Sequence, residues 1–253
     1  MRARTIALLA LGAYLVFLVA TVPARWALAH AAPPPGLALS DVDGTVWNGT
    51  ATLVTQPGAP IADVRWHFLP SRLASARIAF DIDANGAALQ GHGEVARGIG
   101  GIEAHGVKAR GDAAALCALM PLAAAWRPEG RFTLDAPALA WDGRTARGAA
   151  RVEWRDASLA ISDVRPLGSY RVEVRADGGP ARFEVSTLDG ALRVAGHGTF
   201  APPDALAFSG EARAEGNSAA ALEPLLNLLG PRRADGARAI DWRTVPRTSP
   251  PRS

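Results

Sequence analysis

The sequence predicts a mainly β protein: an N-terminal transmembrane helix, then a Gly-rich antiparallel β body built from two related halves, each ending in a short helix. Three observations predict it. Apolar and charged residues alternate with period two through the middle of the chain, as in Arg77-Ile78-Ala79-Phe80-Asp81-Ile82-Asp83 and Tyr170-Arg171-Val172-Glu173-Val174-Arg175. Such alternation marks strands with one buried and one wet face. Turn signals separate these runs: Asn85-Gly86, Asp142-Gly143, Asp177-Gly178-Gly179 and Asp189-Gly190. Finally, blocks of sequence recur at a fixed spacing.

Thr5 to Val22 carries no charge and is rich in Leu, Ile, Val and Phe. With Pro23 and Ala24 it reaches the roughly 20 residues that cross a hydrocarbon core. Arg2 and Arg4 precede it, which predicts residues 1–4 in the cytoplasm, an anchor at 5–24 and a body in the periplasm. A cleaved signal peptide is the rival, since Ala29-His30-Ala31 has the small-x-small form of a cleavage site. Arg25 and the length of the apolar run favour the anchor, and Trp26 reads as an interfacial residue. A linker at 25–36, ending Pro33-Pro34-Pro35-Gly36, leads to a β body at 37–230.

Within the body, further strands are predicted at Arg131–Asp135, Arg151–Arg155 and Arg182–Ser186. Asp112–Leu122 and Asn217–Leu229 are Ala/Leu-rich behind N-cap residues and predict short helices. Pro121 ends the first, and Pro224 interrupts or kinks the second. Arg77 aligns with Arg182, Gly91-His92-Gly93 with Gly196-His197-Gly198, and Gly111 with Gly216, so three blocks share an offset of 105 residues. Trp47-Asn48-Gly49 echoes Trp141-Asp142-Gly143, and Val64-Arg65-Trp66 echoes Val152-Glu153-Trp154, at shorter offsets. The halves are predicted at about 37–126 and 127–230. From 231 to 253 the chain is Arg/Pro/Asp/Ser-rich and reads as a disordered tail.

Composition narrows the function. Arg alternates with Asp and Glu, the net charge is only +3, and no basic stripe stands out, which argues against a nucleic-acid partner. Cys117 is the only cysteine, so an intrachain disulfide is impossible; within its Ala/Leu helix it reads as a small core residue. His92 and His197 sit between glycines; each Gly-x-Gly reads as a bulge or a tight strand crossing with an exposed His, not as a metal site. Trp47, Trp66, Trp141 and Trp154 read as core anchors rather than a ligand platform. No cofactor, metal or catalytic set is expected.

One stretch bears two readings. Asp41-Val42-Asp43-Gly44-Thr45 looks like the nucleophile motif of haloacid-dehalogenase-type phosphatases, with Asp41 attacking phosphorus and Asp43 protonating the leaving group. That chemistry needs an α/β fold and a later acidic pair, and here the sequence runs on as strand. In the other reading Asp41 and Asp43 face solvent, Val42 faces inward, Gly44 marks a bulge or close approach, and Trp47 anchors the first strand.

Leu39, Val42, Gly44, Thr45, Trp47 and Gly49, followed by Trp66 and Pro70, give Leu-x-x-Val-x-Gly-Thr-x-Trp-x-Gly and then a Trp-x-Leu-x-Pro-like segment. With the apolar N-terminus and the late Leu225-Leu226-Asn227-Leu228-Leu229-Gly230, the chain resembles protein N of the type II (general) secretion system over about residues 5–230. Trp141, Gly143 and Trp154 extend the motif into the second half. The resemblance implies a non-catalytic accessory protein of the cell inner membrane, single-pass, aiding export of folded proteins across the outer membrane. Its partners would be the inner membrane and other type II secretion subunits. The alternative is a lipid-binding β groove of the cell envelope, for which one-sided strands supply an apolar lining.

Overall fold

The computed structural model describes residues 11, 14, 17–29, 36–55, 58–116, 126–201 and 205–244. Their strands form a single sheet of thirteen, in chain order, every neighbouring pair antiparallel. The strands are β1 (Leu37–Gly44), β2 (Asn48–Thr55), β3 (Pro60–Phe68), β4 (Ile78–Asn85), β5 (Leu89–Gly98), β6 (Gly101–Asp112) and β7 (Pro128–Trp141). They continue as β8 (Ala146–Leu159), β9 (Gly168–Asp177), β10 (Ala181–Gly190), β11 (Leu192–Ala201), β12 (Ala205–Ala214) and β13 (Arg238–Arg243). Among the described residues short α-helices accompany them: α1 (Ala24–Ala29), α2 (Ala113–Leu116) and α3 (Ala219–Leu229).

The register turns the period-two pattern into two faces. The cross-strand row Ala51–Val64–Ala84–Gly91–Ala109–Leu134–Val152–Val172–Val185–Gly196–Gly210–Ile240 is apolar from β2 to β13. The row on the opposite face, Arg65–Asp83–His92–Lys108–Asp135–Arg151–Glu173–Glu184–His197, is polar. Bulges keep the apolar side in phase. In β6 the inward residues are Val107 and Ala109 on one side of Gly106, and Ala104 and Ile102 on the other. In β7 they are Phe132 and Leu134, then Leu139 and Trp141, with the shift between Asp135 and Ala138. A bulge inserts one residue, and one residue is what flips the alternation.

Glycines on the apolar face make room for rings from the next strand. A Cβ on Gly49 would collide with the Trp66 indole, and one on Gly198 with the Phe183 ring. The Gly-x-Gly pairs thus differ in role. Gly93 lies at a register shift, as expected of a bulge, whereas Gly196-His197-Gly198 runs in unbroken register.

Among the described residues the apolar face is covered at one margin, the margin where α2 and α3 come after β6 and β12. Leu222, Leu225 and Leu226 of α3 pack on Leu167, Leu192, Phe208, Ala212 and Ile240. Near α2 a smaller cluster gathers Leu37, Ile61 and Ala62, with Leu53, Leu89 and Ala115 against it. Elsewhere large side chains of this face stay partly in solvent, Ile78, Leu139 and Trp242 among them. The opposite margin carries the β1–β2, β7–β8 and β9–β10 turns.

Several expectations need correction. Residues 231–244 are not a disordered tail: Arg238–Arg243 is β13, hydrogen-bonded to β12 in regular register, and its alternation of Ile240 and Trp242 with Asp241 and Arg243 was present in the sequence. Residues 245–253 lie outside the described residues. Pro224 does not interrupt α3, an 11-residue helix that runs on through it; its missing N–H costs one hydrogen bond, and burial of the leucine face outweighs that. Of the helix predicted at 112–122, Ala113–Leu116 is seen, and the rest, with Cys117 and Pro121, lies outside the described residues. The anchor at 5–24 also lies largely outside them, and among the described residues no helix is long and apolar enough to cross a membrane. The blocks spaced by 105 residues fall on β4–β5–β6–α2 and β10–β11–β12–α3, six strands apart. Trp66 on β3 and Trp154 on β8 are five strands apart, so their likeness does not belong to that spacing.

Because Leu222 is fully buried and Leu228 is exposed on the same helix, their truncations should separate cleanly. Leu222→Ala is expected to cost about 2–5 kcal/mol of unfolding free energy in a denaturant titration. Leu228→Ala should stay within about 0.5 kcal/mol. Equal effects would mean that α3 does not pack as described.

Candidate functional site

The Gly-Thr-x-Trp-Asn-Gly stretch is a hairpin turn built from its own side chains. Gly44 (φ +86°) pairs with Gly49, and a Cβ there would meet the Asn48 carbonyl oxygen and Gly49 Cα. The Thr45 amide donates to the Asn48 carbonyl at 2.8 Å, and the Trp47 and Asn48 amides donate back to Thr45 Oγ1 at 3.3 and 3.2 Å. Trp66 closes over Gly49 and donates its indole N–H to the Thr45 carbonyl at 3.2 Å. Phe68 meets Trp47 edge-on, with centroids 4.8 Å apart. The motif residues therefore converge on one corner of the sheet.

That corner grips the N-terminal segment. Trp47 Nε1 donates to the Val19 carbonyl at 2.8 Å, satisfying an acceptor in the last turn of the helical residues 17–20. The Val46 amide donates to the Val22 carbonyl at 3.0 Å, and Pro23 bridges Thr45. Ala24 is buried against the sheet, while Phe17, Leu18 and Val19 are exposed. Trp47 anchors the chain leading into the sheet rather than a strand in the core. Leu39 lies on the apolar face beside Leu53, and Pro70 opens the short 3-10 helix Pro70–Ser75 at the start of the β3–β4 connection.

The phosphatase alternative falls on geometry. Its motif belongs at the end of a buried parallel strand, and β1 is an antiparallel edge strand with Asp41 and Asp43 both exposed. Asp41 has φ +49° within a bulge between Ser40 and Asp43. Asp43 accepts a hydrogen bond from the next amide, Gly44, at 2.7 Å.

On the polar face, charges pair across strands. Glu153 accepts from Arg171 at 2.8 Å and from Arg155 at 2.9 Å, and these guanidinium hydrogen bonds hold its carboxyl below the usual range. Arg72 does the same for Glu94. Arg151 meets Glu173 at 3.1 Å and Arg77 meets Glu103 at 2.9 Å. Exposed pairs of this kind contribute about 0–1 kcal/mol each; their effect is to leave a face of matched charge. His92 lies 3.0 Å from Asp83 and 3.7 Å from Asp81, an exposed group of three potential ligand atoms. His197 stands six strands away on β11, so the two Gly-His-Gly copies do not converge.

The tryptophans of the second half belong to an apolar trough. Trp154 faces Tyr170, with centroids 6.1 Å apart, and Phe183 stacks on Phe208 at 5.9 Å. With Val172, Val185, Leu225, Ile240 and Trp242 they line a cavity of about 380 Å³. Two of its polar groups are satisfied within the sheet: Trp154 Nε1 donates to the Glu129 carbonyl at 2.9 Å, and Tyr170 Oη to the Leu192 carbonyl at 2.9 Å. Burial pushes the Tyr170 hydroxyl well above its ordinary pKa, so it stays protonated. Trp141 lines a second apolar cavity of about 300 Å³ with Ala150, Val174, Ala176 and Ala181. Trp47, Trp66, Trp141 and Trp154 are all half-buried, so none of the four is the core anchor expected. Sequence reasoning missed Tyr170, Phe183, Phe208 and Trp242 as trough residues. The signal was an aromatic on the apolar phase of four strands in the second half.

The chain matches the family model described as Type II secretion system (T2SS), protein N, over residues 35–241, which is most of its length and all thirteen strands but for the last residues of β13. No curated protein and no solved structure matches it significantly.

The turn at Trp141-Asp142-Gly143 offers a pH test of the geometry. Asp142 accepts from Thr145 Oγ1 at 2.6 Å and from the Thr145 and Arg144 amides at 2.7 and 2.9 Å, and these bonds lower its pKa from 3.8 to about 2. A carboxyl depressed on folding stabilises the turn above pH 3.8 and loses that contribution as pH falls through about 2. Carboxyl-carbon NMR should place the Asp142 midpoint near 2. Thr145→Val should raise it, since the Thr145 hydroxyl is the largest cause; an unmoved midpoint would refute the turn geometry.

Proposed function

The chain belongs to the type II secretion system protein N family and is a component of that system; we propose that it serves there as an accessory protein of the cell inner membrane, a non-catalytic scaffold with its β body in the periplasm. The observation that carries this reading is the joint at the first corner. The turn Gly44–Gly49 is spent on holding the apolar N-terminal segment, through Trp47 and Val46, rather than on chemistry. A single apolar segment with Arg2 and Arg4 before it orients the body outward.

The geometry also favours one docking mode. Strand addition needs an open edge, and both edges of this sheet are blunted. β1 carries the Asp41 bulge and has α1 against it. Along β13 the Ala239 amide donates to the Pro231 carbonyl at 3.1 Å, and Arg232 bridges Arg238. Such devices are how natural sheets prevent edge pairing. The wet face, with its matched rows of Arg and Glu, is the surface left for secretion partners, and recognition there is by charge register.

Two measurements test the reading together. In spheroplasts the body should be protease-accessible while the protein stays in the membrane fraction, and a soluble cytoplasmic protein would overturn the placement. A photocrosslinking residue at Arg151 or Glu173 should capture another secretion subunit in cells. Capture of none from several polar-face positions would overturn the scaffold.

A further inference from the structure

We propose that the apolar trough of β8–β13 binds one acyl chain of an anionic phospholipid, with the headgroup at Arg147. This goes beyond the scaffold reading and does not depend on which subunit the wet face meets.

The lining of the trough disfavours an extended peptide on hydrogen bonding. The Trp154 indole and the Tyr170 phenol are spent on the Glu129 and Leu192 carbonyls, and no fully buried side-chain polar atom among the described residues lacks a partner. An extended peptide lying in it would bury amide N–H and C=O groups with nothing to receive them, which is unfavourable. The cavity, of about 380 Å³, has an almost wholly apolar lining. That suits a slender ligand without polar groups along its length.

The second cavity supplies the rest of the path. Ala150 and Val174 of that cavity are the next inward residues along β8 and β9 after Val152 and Val172 of the first. The two spaces therefore adjoin along the strands. The first is closed at the helix margin by Leu159, Leu167, Leu192 and α3. The second reaches the turn margin, where small residues Ala146, Gly148, Ala176 and Ala181 leave space beside Trp141. Arg147, one residue in from the strand end and in the phase of the wet face, borders this mouth from the rim, its side chain 63% exposed and only loosely paired to Asp142 at 3.8 Å. A cation at the open end of an apolar channel is the charge complement of a phosphodiester headgroup. The N-terminal apolar segment is held on this same turn margin, at the β1–β2 turn.

The test uses the full chain in phosphatidylglycerol vesicles containing the same lipid with a diazirine at mid-chain. After irradiation, adducts should map to Val172, Val174, Phe183 and Val185, about tenfold above those on Val64 and Ile82 of the equally apolar first half. Val172→Trp, which fills the trough, should lower trough adducts about tenfold and leave the others unchanged. Ala150→Leu obstructs the path between the cavities and should do the same, which keeps the test sound should Val172→Trp unfold the protein. Arg147→Glu should weaken labelling by the phosphatidylglycerol probe and spare labelling by a phosphatidylcholine probe. Adducts confined to residues 5–24, equal labelling of both halves, or protein–protein adducts joining two troughs would each overturn the proposal.

Discussion

Everything in this structure depends on one constraint: thirteen consecutive antiparallel strands keep their apolar side chains in phase on a single face. With neighbouring strands about 4.8 Å apart, the sheet extends roughly 60 Å across. No second sheet is available among the described residues to bury that face, so the chain uses the short helices that come after β6 and β12. α3 supplies Leu222, Leu225 and Leu226, and α2 supplies Ala115. The result is a sheet sealed at one margin, with Ile102 and Leu139 on its apolar face and Trp242 on edge strand β13 partly in solvent.

Keeping phase over so many strands needs local devices, and they explain otherwise odd residues. Gly106 and the Pro137 region shift β6 and β7 together, so that the inward set passes from Val107 and Leu134 to Ala104 and Leu139 without turning polar. Gly49, Gly196 and Gly198 are small so that Trp66, Phe208 and Phe183 can lie flat across the neighbouring strand. The same logic governs the wet face, where Arg171–Glu153 and Arg151–Glu173 span adjacent strands and would be broken by a one-residue slip.

The β body was legible in the sequence because its periodicity is local: strands at 77–83, 131–135, 151–155, 170–175 and 182–186 declare themselves within five to seven residues. The turn glycines were legible for the same reason. What was not legible is long-range. That strand order matches chain order, that Trp47 reaches back 28 residues to Val19, and that Trp154 and Tyr170 share a trough with Trp242 all depend on pairing registers no short window contains. β13 was missed because six alternating residues were outweighed by the Arg- and Pro-rich sequence around them. The Asp41–Asp43 pair misleads for a related reason. A five-residue pattern fits two folds, and only the neighbouring strand decides between a catalytic loop and a bulged edge.

The opening turn and the trough divide the molecule's work. At the first corner, aromatic and backbone groups satisfy one another completely: Trp66 on Thr45, Trp47 on Val19, Phe68 on Trp47. Such closure makes a joint, because both indole N–H groups and the turn amides have fixed acceptors. In the second half the Trp154 and Tyr170 donors are also spent, yet space remains, because Val172, Val185 and Val194 stand where larger side chains would close it. Cavities in proteins are costly, through lost dispersion and lost burial. A chain that fills its first corner so tightly and leaves its second half open places that cost where an apolar occupant can offset it.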